Sequence, residues 1–385
     1  MSFNSNTTNL APSRLSRPKY DPTVLAPHEA FWRDHALWLK ERGYQLRPRF
    51  QPGWVPSWLH GNSQDFLSMF EDRLVPMRGN IMDAVRISDG EMVAFKLISR
   101  DVHPYEVEIS EFLNSEPLRS DPKNHCVPII EVLEVPEQPN SFILVMPFLR
   151  FFDSPPFQTV GEVLEFLRQL FEGLQFMHHH HVAHRDCMGL NIMMDPRPMY
   201  PDMYHPDAWL LTRDLKHTAK YHSRTARPVR YYLIDFGLSR KYDATNTSPM
   251  EWPIWGGDKT VPEFQESDDE CNPFPTDIYY LGNMIREYFF KKTDCLRFLS
   301  PLVDDMVQAD PTKRPTIDQV VERFDALLLS VSSWRMRDRI LYSRPTKLGH
   351  LLHGLPHVVR SLKHVIMRRK AMPTPPATAM HTFTL

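Results

Sequence analysis

Glycine is scarce in this chain, 14 residues in 385 against 35 prolines, and cysteine is scarcer, at four. Cys126, Cys187, Cys271 and Cys295 stand far apart with no C-x-x-C pair. That argues against a thiolate metal site or a disulfide framework and fits a reduced, intracellular protein. No run approaches the ~18–20 apolar residues that a bilayer span requires. The polar first residues lack the apolar core of a signal peptide. The expectation is an intracellular protein with no transmembrane segment, cytoplasmic or nuclear. Net charge is only -2, so no global field draws nucleic acid and no nucleic-acid partner is expected. Charge is unevenly spread: residues 331–370 hold ten Lys or Arg against one acid, Asp338. An apolar content of 42% over this length can bury one large bilobal core or two ordinary domains.

Residues 1–26, rich in Asn, Ser, Thr and Pro, have the composition of a disordered tail. Residues 27–43 look helical, and 44–58 alternate aromatics with proline. The second pattern predicts an extended segment whose aromatics pack on the domain C-terminal to it, so 27–70 is expected as an N-terminal extension. Strand patterns cover Leu74 to Met77, Ile81 to Ile87 and Glu91 to Ile98, with Ser88-Asp89-Gly90 as the turn between the last two. A helix is expected from Pro104 to Ser115, then strands at Val127 to Val135 and Phe142 to Met146. Thr159-x-x-Glu162 is a capping box, and apolar residues from Val160 to Met177 recur at helical spacing on one face. The run His178 to His181 has no acid or cysteine at ligand spacing, so a solvated helix end is expected rather than a metal site. Pro196 to Pro228 shows no periodicity. Loops longer than ~12–15 residues are either functional or disordered, and both stay open.

The chemistry lies in two stretches. Val182 to Asn191, V-A-H-R-D-C-M-G-L-N, places an acid at Asp186 and an amide at Asn191; Tyr231 to Gly237 is an apolar strand ending on Asp235-Phe236-Gly237. An acid to hold an attacking hydroxyl, with an amide and a second acid as hard oxygen ligands, suits phosphoryl transfer from a magnesium nucleotide. The stretches match the H-R-D-x-x-x-x-N and D-F-G signatures of protein kinases. Val93-Ala94-Phe95-Lys96 resembles V-A-I-K, Val261-Pro262-Glu263 resembles A-P-E, Thr276 to Gly282 resembles D-x-W-S-L-G, and Asp310 to Thr316 resembles D-P-x-x-R-P-T. Six signatures in order make the chain resemble the protein kinase superfamily. The H-R-D-C-M sequence, the long insert and the aromatic lead-in are similar to the divergent protein-kinase-like families expanded in fungi.

The resemblance implies an α+β, bilobal fold: a small antiparallel β-sheet lobe with one helix, and a mainly helical large lobe. The kinase-like domain would span 71–330, with the small lobe at 71–146, the hinge at 147–150, the large lobe at 151–330 and the insertion at 196–228; a basic tail comes after it at 331–385. The catalytic set would be Asp186, Lys96, Asn191 and Asp235, with Asn191 and Asp235 holding Mg2+ and ATP as the cofactor. Glu106 would pair with Lys96, Glu108 being the fallback. His184, Arg185, Phe236, Gly237, Glu263, Asp277 and Arg314 would support the site, Arg314 pairing with Glu263. Gly79, Val85, Ala94, Met146 and Phe148 would surround the nucleotide. A helix usual between hinge and large lobe is expected to shrink to a loop. A phosphate on Ser239, Tyr242, Thr245, Thr247 or Ser248 could be held by Arg185.

Two departures weigh against the pattern. Arg78, Asn80 and Asp83 stand where the phosphate loop has glycines, with Gly79 out of register, and Asp83 would repel phosphate. Met188 replaces the usual lysine after the catalytic acid, and Gly256 the usual threonine before A-P-E. Three readings are open: a protein kinase acting on a protein hydroxyl, Ser or Thr; a pseudokinase that binds nucleotide or a partner as a scaffold; and a small-molecule phosphotransferase. For the basic tail, a helix packed on the large lobe competes with one that meets an acidic partner or a membrane surface.

Overall fold

The computed structural model describes residues 21, 23–59, 70–76, 78–254, 257–341 and 359–376. Residues 1–20 and 22 of the expected tail, 1–26, lie outside the described residues; in the remainder the Val24 carbonyl accepts from Arg49 at 3.3 Å. In the small lobe Tyr44–Gln45 (β1), Ile81–Arg86 (β2), Met92–Ser99 (β3), Glu131–Glu134 (β4) and Ser141–Pro147 (β5) form one antiparallel sheet in the order β1-β2-β3-β5-β4. The turn at 88–90 joins β2 to β3 as its sequence predicts. Of the strand expected at Leu74 to Met77, residues 74–76 are not in a strand and Met77 lies outside the described residues. The edge strand comes instead from the extension, Tyr44 and Gln45 pairing with Arg86 and Val85.

Period-two alternation divides the sheet between two cores. Met82, Ala84, Val93, Phe95, Ile143 and Val145 face away from the large lobe and are buried with Trp32, Ala36, Leu39, Tyr44, Leu46 and Phe50 of the extension. Two short helices, Ala30–Asp34 (α1) and Ala36–Glu41 (α2), deliver the first three. The extension closes on itself through a buried ion pair, Arg49 Nε to Glu29 Oε1 at 2.6 Å and Nη2 to Oε2 at 3.0 Å. The opposite sheet face, with Ala94, Lys96 and Met146, looks into the cleft, flanked by the helix Glu106–Leu113 (α3).

The large lobe is built on Val160–His179 (α4), whose N-cap Thr159 accepts from the Glu162 amide. Around it lie Glu263–Glu266 (α5), Pro273–Ile285 (α6), Ser300–Met306 (α7), Ile317–Ser330 (α8) and Ser333–Met336 (α9). Arg150–Phe151 (β6), Ile192–Met194 (β8) and Tyr231–Leu233 (β9) make a three-stranded sheet beneath the cleft; Val182–Ala183 (β7) pairs with Arg240–Lys241 (β10). Residues 152–159 connect hinge to α4 without a helix, as expected.

The insertion folds as a compact loop. Arg150 lies over the rings of Tyr204 and Tyr200, at 4.2 and 5.0 Å, and Arg224, fully inside, donates to the carbonyls of Phe152 and Pro155. After α9 the chain returns at 359–376. Arg337 donates to the Arg369 carbonyl at 2.6 Å, and the Ala371 carbonyl sits so close to Gly161 that a Cβ there would approach it to 2.1 Å. Only glycine fits on α4 at that crossing.

Trp32 is fully buried and its indole N–H donates to the Gly79 carbonyl at 2.8 Å. Trp32→Ala should cost about 3–5 kcal/mol through the cavity it leaves, read as a lower urea midpoint with an unchanged slope.

Candidate active site

The catalytic loop is held from below by one acid. Asp277 on α6 is wholly buried, and accepts the amides of His184 (2.8 Å) and Arg185 (2.7 Å) and the ring of His178 (3.0 Å). Anchoring Arg185 this way lets it adopt φ 66, a left-handed conformation costly for a side-chain-bearing residue. His178, expected as part of a solvated helix end, is therefore a working part of the loop, packed edge-on to Phe274. No group of three or more potential metal ligands occurs among the described residues. His184 is buried against Phe236 at 5.5 Å, and its desolvation lowers its pKa. Cys187 is sealed inside and burial pushes its thiol well up, so it packs rather than reacts.

Lys96 links the lobes. Its ammonium contacts Glu106 Oε1 on α3 and Asp235 Oδ1 at 2.6 Å, while Glu108 is exposed and plays no part. Burial alone would lower Lys96; the two carboxylates override it, so its pKa is raised. Burial would raise Asp235, and Lys96 brings it net down. Gly237 sits under His103 and Glu106, its carbonyl 3.1 Å from the His103 ring.

Asn191 donates to Asp186 Oδ2 at 2.7 Å and to the Asp186 carbonyl at 2.9 Å. With the amide nitrogen committed, the carbonyl oxygen of Asn191 is the atom left to face a cation. It and the second oxygen of Asp235 form a two-oxygen set. That suits Mg2+, which takes one or two protein ligands and completes its shell with phosphates and water. The residues present fit the metal.

Asp186 Oδ1 is buried without a hydrogen bond. Gly257, at φ +71, lies over it, and a Cβ there would come within 2.5 Å of that oxygen. Desolvation, with Asp235, Asp277 and Asp258 adding their charge, pushes Asp186 up to about 7 despite the Asn191 bond. Gly256 lies outside the described residues. Its neighbourhood is pinned by Asp258 to Asn283 and by Tyr279 to the Thr260 carbonyl at 2.7 Å. Further along, Glu263 and Arg314 make the expected pair in fork geometry, 2.8 and 2.6 Å.

The anticipated phosphate ligand of Arg185 already has a substitute. Glu251 lies 3.3 Å from Arg185 and 3.8 Å from Arg240, and accepts from Tyr242 at 3.2 Å. Ser239 is fully buried, donating to the His184 carbonyl, so it is removed from the accessible sites. Sequence reasoning missed Glu251 because nothing local distinguishes it from a surface acid.

The nucleotide positions need correction. Gly79 faces the extension: a Cβ there would meet His28 at 2.8 Å, and its carbonyl is taken by Trp32. Its bare Cα thus packs on the extension, and β1 and β2 are separated by residues 46–80 rather than a tight hairpin. Val85, Ala94 and Met146 stand on the cleft side as expected, half-buried. The Phe148 amide, which the resemblance offers to a base, donates to the Met92 carbonyl at 3.3 Å. Asp83, paired across the sheet with Ala94, is not bare. Arg47 of the extension bridges it (3.1 Å) to Asp207 of the insertion (2.7 Å) and approaches Glu71 (3.7 Å), which His205 also approaches at 3.5 Å. Burial raises Asp83 and Asp207 adds to it; Arg47 offsets this only in part.

These features define a two-lobed cleft with Lys96, Asp186, Asn191 and Asp235 on its walls. The protein kinase domain model matches residues 77–297, more than half the chain, and the chain belongs to that family. It is also similar to "Myosin light chain kinase 3" of Rattus norvegicus, 25% identical over 166 residues. That match covers 40% of this chain and 16% of the rat protein.

Two outcomes check the site. A carboxyl raised in the folded state is destabilising once deprotonated: stability falls as pH rises from the unfolded value near 4 to about 7. Asp186→Asn should thus be more stable than the parent at pH 8, by roughly 2–4 kcal/mol, the gap closing towards pH 4; denaturation across pH reads this. Arg47→Ala strands Asp83 and Asp207 and should cost about 3–5 kcal/mol. Adding Asp83→Asn should restore a substantial part, as a double-mutant cycle measures.

Proposed function

We propose that this protein is a Mg-ATP-dependent protein kinase that transfers a phosphoryl group to a protein hydroxyl, serine or threonine. The observation that carries the reading is the junction of Lys96 with both Glu106 and Asp235, in the same cleft where Asn191 holds Asp186. In this reading Lys96 binds the nucleotide phosphates and Asp235 and Asn191 orient the cation. Mg2+, when bound, neutralises charge developing on the transferred group. Asp186 accepts the hydroxyl proton, which a carboxyl raised to about 7 is suited to hold. The Glu263–Arg314 fork and Asp277 hold the segments on either side of the cleft's mouth in place, which supports a protein rather than a small-molecule acceptor.

The scaffold reading keeps one specific support, the crowding at the far end of the cleft. There the Phe148 amide is engaged, and the Arg47 cluster stands beside Ala94.

Titrating Mg-ATP while following the melting temperature separates the two, with Asp235→Asn run alongside. A ligand at 100 times its Kd stabilises by about 2.7 kcal/mol. The expected result is a Mg-dependent rise lost in the variant, with phosphate transfer to Ser/Thr peptides abolished by Asp186→Asn. No rise at millimolar nucleotide rejects the kinase reading in favour of the scaffold; a rise without transfer to any Ser, Thr or Tyr peptide rejects the transfer step alone.

A further inference from the structure

The chain contains no Asp or Glu after Asp338. Within that acid-free stretch, residues 359–366 form a helix that the large lobe holds by one side only. His364 is buried there and Ser361 half-buried, and the segment after the helix is fastened by Arg337 to the Arg369 carbonyl, by Ala371 against Gly161 and by Thr374 to Glu165 at 3.3 Å. The opposite side is apolar and open. Val359, Leu362 and Ile366, spaced three and four apart and so stacked on one face, are 60%, 52% and 80% exposed. Arg360, Lys363, Arg368 and Lys370 are exposed around them.

An apolar ridge fixed on a folded domain and flanked by cations, with no acid in its own stretch of chain, fits a negatively charged surface with an apolar interior just beneath. We propose that this helix docks the protein on an anionic lipid membrane, with Leu362 and Ile366 entering the acyl boundary and the basic residues meeting headgroups. Attachment along the His364 side favours this over an acidic protein that wraps a helix from all sides. Such a partner would have to peel the helix off the lobe and break the Arg337 and Ala371 contacts. A flat surface needs only the side already presented. An eight-residue helix lying in the interface plane makes the proposed attachment peripheral.

The test is co-sedimentation of the full chain with phosphatidylcholine vesicles, with and without phosphatidylserine. Binding is expected only with phosphatidylserine. Lys363→Glu with Arg368→Glu should weaken it at least about tenfold, and Leu362→Ser with Ile366→Ser should weaken it about as much. These are exposed side chains, so the melting temperature should not move, which keeps a loss of binding distinct from a loss of fold. Failure to bind either vesicle, equal binding to neutral vesicles, or binding that survives the serine pair overturns the proposal. The readout is independent of nucleotide, so it stands or falls separately from the kinase reading.

Discussion

A carboxylate that no water reaches must be satisfied by the protein, and Asp277 is that constraint here. Burying it would cost several kcal/mol unless donors converge on it. The donors are two consecutive amides of the catalytic loop and one histidine at the end of α4. The relation runs both ways: the acid is tolerable because the loop encloses it, and the loop holds its shape because the acid gives it somewhere to bond. Arg185 keeps its left-handed backbone on this account. Asp186, the next residue, is thereby fixed where Asn191 can bridge to it from one turn beyond. Displace Asp277, and the backbone that carries the Asp186 carboxyl to Asn191 loses its anchor.

The second dependency runs through the small lobe. Lys96 can join α3 to Asp235 only if β3 sits at a fixed height, and β3 is clamped between two cores. One is shared with α3 and the large lobe; the other belongs to the extension, where Trp32, Leu39 and Phe50 cover the back of the sheet. The extension is thus not an appendage laid on a finished domain. It supplies both a strand and half of a core, and through Arg47 it also reaches the cleft side.

Much of this was legible because it is local. The Thr159 cap, the stripe of α4, the 88–90 turn, and the acids at 186 and 235 are written within a few residues, where spacing and side-chain chemistry decide the outcome. What stayed hidden depends on partners far away in the chain. Tyr44–Gln45 is two residues long, and only the register offered by β2 makes it a strand. Leu74 to Pro76 has the apolar composition of a strand but no free sheet edge, since β1 already holds it. His178 looked like one of four solvated histidines until α6 placed Asp277 beside it. Glu251 gave no sign, because its meaning comes from Arg185 and Arg240, each more than ten residues away. The insertion lacked periodicity because its order comes from two arginines set among rings and carbonyls, an arrangement that obeys no repeat.

Arg47, Asp83 and Asp207 explain why a chain poor in glycine has this cleft. A glycine-rich loop lets backbone come close to phosphates because nothing else holds it there. In this protein the corresponding stretch is held: Gly79 by Trp32 and His28, Asp83 by Arg47, and Arg47 in turn by Asp207. In this knot one guanidinium stands among three acids, of which burial raises Asp83 towards its neutral form. The knot lies at the Ala94 end of the sheet rather than at Lys96, two residues along β3. Arg47 thereby ties the extension and the insertion to β2. Where a glycine-rich cover would bend, this cleft has one fastened by ion pairs among β2, the extension and the insertion.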